Sequence, residues 1–333
     1  MDVDFVVLWV DGNDPEWLAE KRKYQNGVVD DSNAPNRFRD WGLMPYWFRA
    51  VEKFTPWVRR IHFVTCGHIP EWLNLDNPKL NHVKHSDYIP KEYLPTFNAN
   101  TIEMNIHRIP GLAEHFVFFN DDMFITCEME ERDFFKNDLP CSCGAEVPVQ
   151  FVGTAGIWQH LIANDMRVIN NHFSKKESRD LYLKKYNNRA YRWQDNLRTG
   201  ILGKLYPEVF LGFKNLHAPA AFLKKTFVEI WQKEPKLLQQ TSAHRFRSND
   251  DVNQWLAIWW QIAGGLFEPY EIDNVVEDVT SKSIDSLCGV ISKQSHDMVC
   301  VNDPAGECEF EILSERLRRA FDCILPNKSS FEK

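Results

Sequence analysis

The sequence predicts an α/β fold, with an open and mainly parallel sheet, flanking helices and an inserted helical region. Two observations indicate this fold class. Short apolar runs typical of buried strands alternate with helical patterns through residue 125, as in sheets whose strands are joined by crossover helices. The length of 333 residues and the hydrophobic content of 44% are enough for one large domain with an insertion, or for two domains.

The first half of the chain supplies the strands of the predicted sheet. The first strand covers residues 4–10 and ends in an Asp-Gly-Asn-Asp-Pro turn, whose Pro15 begins a helix. Later short strands are predicted at residues 61–65, 80–84 and 115–120. The predicted helices of this half cover residues 15–26, 43–54 and 98–109, and a polar loop covers residues 28–36.

The pattern is weaker after Cys127. A strand is predicted at residues 146–152, and short strands and turns follow residue 273. Helices are predicted at residues 158–170, 178–189, 220–233, 250–262 and 311–321. We therefore predict an α/β core formed by residues 1–126 and 213–333, with a mainly helical insertion of residues 127–212.

The composition of the chain limits which kinds of partner the protein can bind and where in the cell we expect it. With 39 basic and 47 acidic residues the formal charge is −8, which argues against general nucleic-acid binding because that needs a basic surface. No stretch of the sequence approaches the roughly 18 to 20 consecutive apolar residues of a membrane span. The start, Met-Asp-Val-Asp-Phe, has no basic segment followed by an apolar one, so we expect no signal peptide and a cytoplasmic protein.

Eight cysteines are spread along the chain without a CxxC pair. In a cytoplasmic protein the default state of a cysteine is the reduced thiol. The alternative is a zinc site that joins Cys141 and Cys143 to Cys300 and Cys308. We disfavour that site because the spacing fits no common zinc module.

Residues 115–124 are the segment most informative about function. An aromatic, apolar run that predicts a buried strand stops at Asn120, Asp121 and Asp122. Two adjacent carboxylates at a strand end are costly to bury without a partner, and Mg²⁺ or Mn²⁺ suits them because both ions favour oxygen ligands. Ligand sites in open α/β sheets lie at the carboxyl ends of strands. The alternative is a solvated turn without a ligand.

A second set of polar residues follows the first predicted strand. Asp11, in the turn with Gly12, is placed to accept hydrogen bonds from the ribose or base of a nucleotide, whereas Asp14 fits equally well as a helix cap. Arg39 lies in an Arg-Phe-Arg-Asp segment that suits bidentate binding of a pyrophosphate. The alternative for this segment is that Asp40 caps the next helix and the arginines are solvated.

The remaining candidates lie further along the chain. Glu103 and His107 are four residues apart, so a helix would place both on one face, where they suit metal support or proton transfer. A surface pair is the alternative. His217 before Ala-Pro is a weak signal alone. Arg247 precedes a helix start whose acids, Asp251 among them, favour the helix dipole, but that account leaves the arginine unexplained.

These motifs, in their order along the chain, resemble the four conserved regions of the Stealth family. The resemblance is carried by WVDGNDPEW at residues 9–17, the blocks at residues 38–80 and 94–124, LHAP at residues 216–219 and TSAHRFRSNDDV at residues 241–252. It covers roughly residues 3–125 and 213–265. Members of this family are sugar-1-phosphate transferases of bacterial capsule and cell-surface polysaccharide synthesis, and they resemble the catalytic core of animal N-acetylglucosamine-1-phosphotransferase.

The resemblance implies a Rossmann-like, glycosyltransferase-A-like sheet and a phosphotransferase. Such an enzyme transfers a hexose- or N-acetylhexosamine-1-phosphate from a UDP-sugar to a hydroxyl of a glycan acceptor and releases UMP. It implies Mg²⁺ or Mn²⁺ as cofactor, a lipid-linked acceptor, peripheral membrane association and a location at the inner face of the membrane. We expect residues 127–212, outside the resemblance, to bind the acceptor, because a basic and aromatic group there suits an anionic, lipid-linked glycan: Arg189, Tyr191, Arg192, Trp193 and Arg198. A solvated basic helix face is the alternative for these residues.

The resemblance also assigns roles to single residues. His217 and Arg247 are assigned to catalysis, and Asp121 is the alternative to His217 as general base. Asp122 and Glu103 are assigned to the metal ion. The residues assigned to substrate binding are Asp11, Gly12, Arg39, His107 and Asp251.

Two other functions are alternatives. A metal-dependent glycosyltransferase would also use an α/β sheet with carboxylates at a strand end, and it would release UDP. A non-catalytic carbohydrate- or nucleotide-binding module is favoured only by the 12 Trp and 23 Phe residues, which suit stacking on sugars or bases.

Overall fold

A computed structural model describes residues 1–25, 35–150, 156–304 and 309–333. The strands are β1 (Val3–Leu8), β2 (Arg60–Thr65), β3 (Leu80–Lys84), β4 (His115–Phe119), β5 (Met123–Ile125), β6 (Phe135–Lys136), β7 (Leu139–Ser142), β8 (Ala220–Leu223), β9 (Glu268–Pro269), β10 (Asn274–Asp278) and β11 (Met298–Asn302). The helices are α1 (Pro15–Tyr24), α2 (Met44–Phe54), α3 (His85–Tyr88), α4 (Ala99–Met104), α5 (Glu131–Phe134), α6 (Ile157–His172), α7 (Lys175–Tyr186), α8 (Trp193–Leu205), α9 (Lys224–Lys233), α10 (Pro235–Ala243), α11 (Gln254–Ala263), α12 (Ile284–Lys293) and α13 (Phe310–Ile324).

The central sheet has the strand order β3-β2-β1-β4-β8. β1 runs parallel to β2 and β4, with Val7 opposite Phe63 on one side and Phe119 on the other. β3 is parallel to β2, whereas β8 is antiparallel to β4. The carboxyl ends of β1 and β4 therefore meet at one edge of the sheet. This arrangement confirms the predicted Rossmann-like α/β class.

Apolar layers cover both faces of the central sheet. On one face, Phe5 and Val7 of β1 pack with buried side chains of α2, α12 and α13. On the other face, Val6 packs with buried side chains of α6, α7, α9 and α11. Neighbouring residues of β1 serve opposite layers because side chains alternate along a strand. Two helices of the region 127–212, α6 and α7, thus share the core of the sheet.

Two three-stranded sheets extend the core. One has the order β10-β11-β5, with β11 parallel to β10 and antiparallel to β5. The other has the order β6-β7-β9, and Cys141 of β7 lies opposite Glu268 of β9. This last pairing joins the start of the region 127–212 to the segment that follows α11.

The helix predicted at residues 98–109 is shorter than expected. α4 ends at Met104, and a 3-10 turn over Ile106–Arg108 follows. The buried Asn105 explains the end, because its Nδ2 donates to the carbonyl oxygen of Thr101 at 2.8 Å, the acceptor that a continuing helix would use. Glu103 and His107 are therefore not on one helical face, and that expectation is wrong.

Other differences concern the second half of the chain. Residues 220–233 are not one helix, since Ala220–Leu223 pairs with β4 as β8 before α9 begins. In place of the strand predicted at residues 146–152, the part described to residue 150 has a single bridge between Glu146 and Phe213. Helices α8, α10 and α12 were not predicted, and most of the loop at residues 28–36 lies outside the described residues. None of the helices in the described ranges is long and apolar enough to cross a membrane.

Candidate active site

A cleft of about 810 Å³ opens at the carboxyl edge of the central sheet. Its lining includes Trp9 after β1 and Asn120–Asp122 after β4. Helices α4, α6 and α11 and the loops before β8 and α11 supply further lining residues. The cleft therefore lies where neighbouring parallel strands end, the position at which open α/β sheets bind ligands.

Asp121 and Asp122 form the turn between β4 and β5. The turn is fixed by backbone hydrogen bonds, from the Met123 N–H to the Asn120 carbonyl (3.3 Å) and from the Val301 N–H to the Asp122 carbonyl (2.8 Å). Asp122 is half-buried, and its Oδ1 atom has no hydrogen-bond partner within the described residues. An orphaned carboxylate oxygen in a cleft is a fitting ligand for a cation or a donor group.

Asp121 is exposed to the cleft, although the cleft walls crowd its carboxyl group. Restricted hydration raises the pKa of Asp121 to about 8, and the negative charges of Asp122 and Asp40 contribute to that rise. Burial likewise raises the pKa of Asp40, to which the charge of Asp11 adds. Several carboxyl groups thus crowd one part of the cleft, and this crowding favours binding of a cation.

His217 reaches the same place from the loop before β8. Its backbone has a φ of 43°, a conformation that few non-glycine residues adopt. The loop is held by the His217 N–H, which donates to Asn215 Oδ1 (2.9 Å), and by Asn274 Nδ2, which donates to the Leu216 carbonyl (2.8 Å). The Nε2 atom of His217 lies 3.8 Å from Asp122 Oδ2.

Asp122, His217 and Cys300 form a group with the composition of a metal site. One ligand atom from each residue lies within 4.8 Å of the other two. Among the described residues, no other set of three or more potential metal ligands lies this close together. Cys300 is a buried residue of β11 whose thiol pKa is raised by burial and by the charge of Asp122. The Asp122 carboxylate fits a divalent cation, whereas a protonated thiol is a poor ligand. Glu103 is not part of this group.

Glu103 lies in the cleft lining beside a different partner. It is buried, and its Oε2 accepts a hydrogen bond from the Gln254 N–H at 3.3 Å. Burial raises the pKa of Glu103 to about 7, against the opposing charge of Arg247. Desolvation also lowers the pKa of Arg247. Both residues line the cleft, and each influences the pKa of the other through its charge.

Arg247 also contacts an aromatic side chain that sequence reasoning did not single out. Its guanidinium lies over the ring of Trp158, 5.4 Å from the centroid, and Arg37 lies over the same ring at 5.8 Å. Trp158 is in the first turn of α6 and lines the cleft. The Nε atom of Arg247 has no hydrogen-bond partner in the described part of the chain. A cation held on an aromatic ring with a spare N–H suits phosphate binding.

Arg39 lines the cleft in an ion pair. Its Nε donates to Asp303 Oδ2 at 2.7 Å, and a second guanidinium nitrogen contacts Asp303 Oδ1. The guanidinium also lies over the ring of Phe310, 4.4 Å from the centroid. The predicted phosphate-binding arginine is therefore at the cleft, with much of its hydrogen-bonding capacity committed to Asp303.

Asp11 and Gly12 lie next to the cleft rather than in its lining, which Trp9 and Val10 supply. The Asp11 N–H donates to His68 Nε2 (2.9 Å), and Asp11 Oδ1 accepts from the Asn13 N–H (2.9 Å). Gly12 touches the backbone of Phe38, since a Cβ atom there would lie 1.8 Å from the Phe38 carbonyl oxygen. Gly12 is thus required for close packing of the turn, and the turn positions the cleft lining.

Two predicted substrate-binding residues are not brought to the cleft. His107 packs against Phe227 and Trp231, and burial lowers its pKa to about 3. Asp251 is fully buried, and its carboxylate accepts hydrogen bonds that tie several segments together. The donors to Asp251 are Asn98 Nδ2 (2.8 Å), Asn100 Nδ2 (2.9 Å), the Ser248 N–H (2.9 Å) and His244 Nδ1 (2.6 Å). Asp251 therefore holds the loop that presents Arg247.

Comparisons with known proteins agree with the motifs. Family models of the Stealth protein match conserved region 1 at residues 1–29, conserved region 2 at residues 37–141 and conserved region 3 at residues 216–258. These three regions contain Asp11, Glu103, Asp122, His217 and Arg247. Trp158 and Cys300 lie outside them.

Curated relatives match along the whole chain. A capsular polysaccharide phosphotransferase of Streptococcus pneumoniae (WcwK) is 41% identical over 335 residues, 100% of this chain and 99% of the relative. A receptor polysaccharide phosphotransferase of Streptococcus oralis (WefC) is 40% identical over 347 residues, 99% of each chain. An exopolysaccharide phosphotransferase of Lactiplantibacillus plantarum (cps2G) is 37% identical, over 100% of this chain and 96% of the relative. The chain therefore belongs to the Stealth family and is a phosphotransferase.

Proposed function

We propose that this protein transfers a sugar-1-phosphate from a UDP-sugar to a hydroxyl of a glycan acceptor in capsule or cell-surface polysaccharide synthesis. The product is a phosphodiester, and UMP is released. The relatives named as capsular and exopolysaccharide phosphotransferases support the reaction class. The observation that carries the proposal is the convergence of Asp121, Asp122, His217 and Arg247 on one cleft at the carboxyl edge of the sheet.

We assign a divalent cation, Mg²⁺ or Mn²⁺, to the Asp121-Asp122 turn. The orphaned Oδ1 of Asp122 and the crowded carboxyl group of Asp121 support this assignment. Glu103 remains a second predicted ligand, supplied from α4. When bound, the ion would neutralise negative charge on the donor's phosphate oxygens.

In this proposal, side chains of the protein supply the remaining chemistry: a cationic arginine and a general base. Arg247, held on Trp158, binds an oxygen of the transferred phosphate and stabilises its charge. His217 accepts the proton of the acceptor hydroxyl while the hydroxyl oxygen attacks the phosphorus that carries the sugar. The bond from this phosphorus to the bridging oxygen breaks, and that oxygen leaves with UMP. We prefer His217 to Asp121 as base because a carboxylate that holds a cation is a poor proton acceptor.

In this proposal, the acceptor enters the cleft from the side formed by the insertion, residues 127–212. Trp158 is the cleft residue supplied by α6 of the insertion, and Lys214, another lining residue, follows the end of the insertion by two residues. An aromatic ring next to basic groups suits an anionic glycan such as a lipid-linked one. The donor fills the part of the cleft nearest β1, where Trp9 and Val10 lie.

The proposal is tested by identifying the nucleotide product. Purified protein is incubated with UDP-hexoses or UDP-N-acetylhexosamines, Mg²⁺ and polysaccharide fragments, and nucleotides are separated by ion-exchange chromatography. UMP is expected. Release of UDP would instead identify a glycosyltransferase, and binding of UDP-sugars without any nucleotide release would identify a binding module.

Two arginine variants give this assay a matched control. Arg247→Ala removes the guanidinium that is proposed to bind the transferred phosphate, and UMP release should fall by at least about a hundredfold, the usual effect of losing a transition-state donor. Arg245→Ala removes a neighbouring cation outside the cleft lining, which contacts Tyr24 and the Pro95 carbonyl. It should retain most of the activity.

A further inference from the structure

Helix α8 carries most of its large apolar side chains on the outside of the protein, and only Leu202 among them is buried. Trp193, Leu197, Ile201 and Leu205 follow one another at intervals of four residues, so they lie on one face of the helix. Their exposed fractions are 70%, 56%, 48% and 66%. We call these four residues the α8 stripe. A surface helix normally turns its apolar face to the core, and α8 does the reverse.

The inner face of α8 holds two polar side chains beside Leu202, and these polar side chains fix the orientation of the helix. Asp195 is buried, with Oδ2 accepting from Lys214 Nζ (2.7 Å) and Oδ1 accepting from Arg198 Nη2 (2.5 Å). Thr199 is also buried, and its Oγ1 accepts from the Glu146 N–H at 2.9 Å. Rotating α8 to hide the stripe would break the bonds to Lys214 and to the Glu146 N–H and leave those groups without partners, so the stripe stays outside.

Neighbouring segments add to the exposed apolar surface. α7 lies against α8, because Lys175 Nζ contacts the Leu202 carbonyl (3.4 Å) and a Cβ on Gly203 would meet the Arg179 guanidinium. Leu181 and Leu183 of α7 are exposed, Leu181 to 73%. Exposed apolar side chains concentrated in this way mark an interaction site rather than ordinary surface.

The charge around the stripe indicates which partner it fits. Residues 174–209 contain nine basic and four acidic residues in a chain whose total charge is −8. Five of the basic residues are exposed (Lys176, Lys184, Arg189, Arg192 and Lys204), against three of the acidic ones (Glu177, Asp180 and Glu208). Arg192 and Lys204 are exposed and directly precede Trp193 and Leu205. An apolar helical face with tryptophan and bordering basic residues is typical of helices that lie on anionic membrane surfaces.

We propose that the α8 stripe docks this protein on an anionic lipid surface. Leu197, Ile201 and Leu205 enter the boundary between head groups and acyl chains, and the basic residues contact lipid phosphates. A second copy of the chain is a poorer occupant, since a symmetric contact would oppose two basic faces.

Docking through α8 would also bring the cleft to the membrane. Asp195 on the inner face pairs with Lys214, which lines the cleft, so the cleft wall and the stripe are separated by about one helix diameter, ~10 Å. A lipid-linked acceptor could reach the cleft from the bilayer. The docking itself is independent of the proposed transferase reaction and can be measured without donor or acceptor.

Vesicle flotation tests the proposal directly. The protein is mixed with phosphatidylcholine vesicles that contain or lack phosphatidylglycerol. It should float with the anionic vesicles and much less with the neutral ones. The double variant Leu197→Ser/Ile201→Ser should bind at least about tenfold more weakly, since membrane affinity scales with the apolar area inserted.

A second double variant controls for the loss of exposed apolar side chains in general. Leu75 and Ile312 are 46% and 61% exposed and lie outside the region of α7 and α8, so Leu75→Ser/Ile312→Ser should bind vesicles like the parent protein. Circular dichroism verifies that both variants are folded.

Absence of flotation of the parent with anionic vesicles, or equal flotation of the Leu197→Ser/Ile201→Ser variant, would overturn the proposal. Sedimentation velocity showing a dimer that only this variant abolishes, without vesicle binding, would assign the stripe to a second copy.

Discussion

The Nε2 atom of His217 lies 3.8 Å from the Oδ2 atom of Asp122, although 94 residues separate them in the sequence. Within the described part of the chain, neither His217 Nε2 nor Asp122 Oδ1 has a hydrogen-bond partner. Buried polar atoms without partners are costly. A ligand that binds between them would recover that cost, and this is why we place the reaction here.

Replacement of His217 by asparagine should remove the general base while sparing the fold. Asparagine tolerates the positive φ of residue 217 but cannot accept a proton at neutral pH. We expect kcat to fall about 10²- to 10⁴-fold, with donor binding nearly unchanged. Steady-state kinetics and the thermal midpoint are the measurements. A variant that loses stability and activity together would point instead to a structural role.

Loss of the Asp122 carboxylate should weaken cation binding even without substrate. Changes in the surroundings of a metal ligand cost about 10- to 100-fold in affinity, so Asp122→Asn should cost at least about tenfold. Calorimetry or electron paramagnetic resonance with Mn²⁺ measures this directly. Asp76→Asn, which alters an exposed carboxylate outside the cleft lining, should bind Mn²⁺ as the parent does. Equal Mn²⁺ affinity in Asp122→Asn and the parent would refute the assignment.

Substitution of Gly12 by alanine should destabilise the protein through a steric clash. The new Cβ would lie 1.8 Å from the Phe38 carbonyl oxygen, and relief of such overpacking costs about 1–3 kcal/mol. Chemical denaturation measures the loss. Gly200→Ala is the matched control, because a Cβ there meets nothing within 4 Å and alanine favours a helix. If both variants were equally stable, the close approach of the two backbones would be disproved.

Asp165 should lower stability at neutral pH. It is fully buried, its Oδ2 has no partner among described residues, and burial raises its pKa well above the usual value, with Glu103 adding to the rise. As pH rises above about 4, the unfolded state ionises while the folded state does not, so stability falls. Asp165→Asn should therefore stabilise the protein at pH 7, by more than about 1 kcal/mol, and this gain should vanish near pH 4.

Asp4 provides a control of opposite sign for that pH dependence. Burial opposes its ionisation, but hydrogen bonds from His62, Arg59 and the Ala113 N–H outweigh burial and lower the pKa of Asp4. The stabilisation from Asp4 is present above its unfolded pKa and is lost as pH falls through the folded pKa. Asp4→Asn should therefore be less stable than the parent at pH 7. A gain of stability in both variants would show that charge removal in general, and not the environment of each carboxyl group, is responsible.

The sequence alone was sufficient for strands β1 to β4 of the central sheet and for the Asp121-Asp122 turn. β1 and β4 are buried on both faces, so apart from Asp4 and His115 each is an apolar run with an abrupt polar end, and such runs are visible without a structure. Asp11 and Arg39 were identified as candidate site residues because Asp11 follows a strand and Arg39 precedes a helix. Their hydrogen-bond partners, His68 and Asp303, were not identified. Contacts between residues far apart in sequence leave no local pattern.

Helix α8 shows a different reason for failure. Its buried face holds Asp195 and Thr199, whereas Trp193 and Leu197 face outward, so the usual relation between apolar pattern and burial is reversed. Sequence reasoning found a basic, aromatic region there but no helix. Trp158 was also missed, because its role depends on Arg247, which reaches it from a loop 89 residues later in the sequence.

The central claim is that phosphorus moves with the sugar, and a donor labelled at the β-phosphorus tests it most directly. The protein is incubated with UDP-sugar carrying a radioactive β-phosphate, Mg²⁺ and acceptor glycan, and the label is followed into polymer and nucleotide fractions. Transfer of sugar-1-phosphate predicts that the label enters the glycan and that unlabelled UMP is released. Label retained in UDP, with an unlabelled sugar on the glycan, would contradict the account.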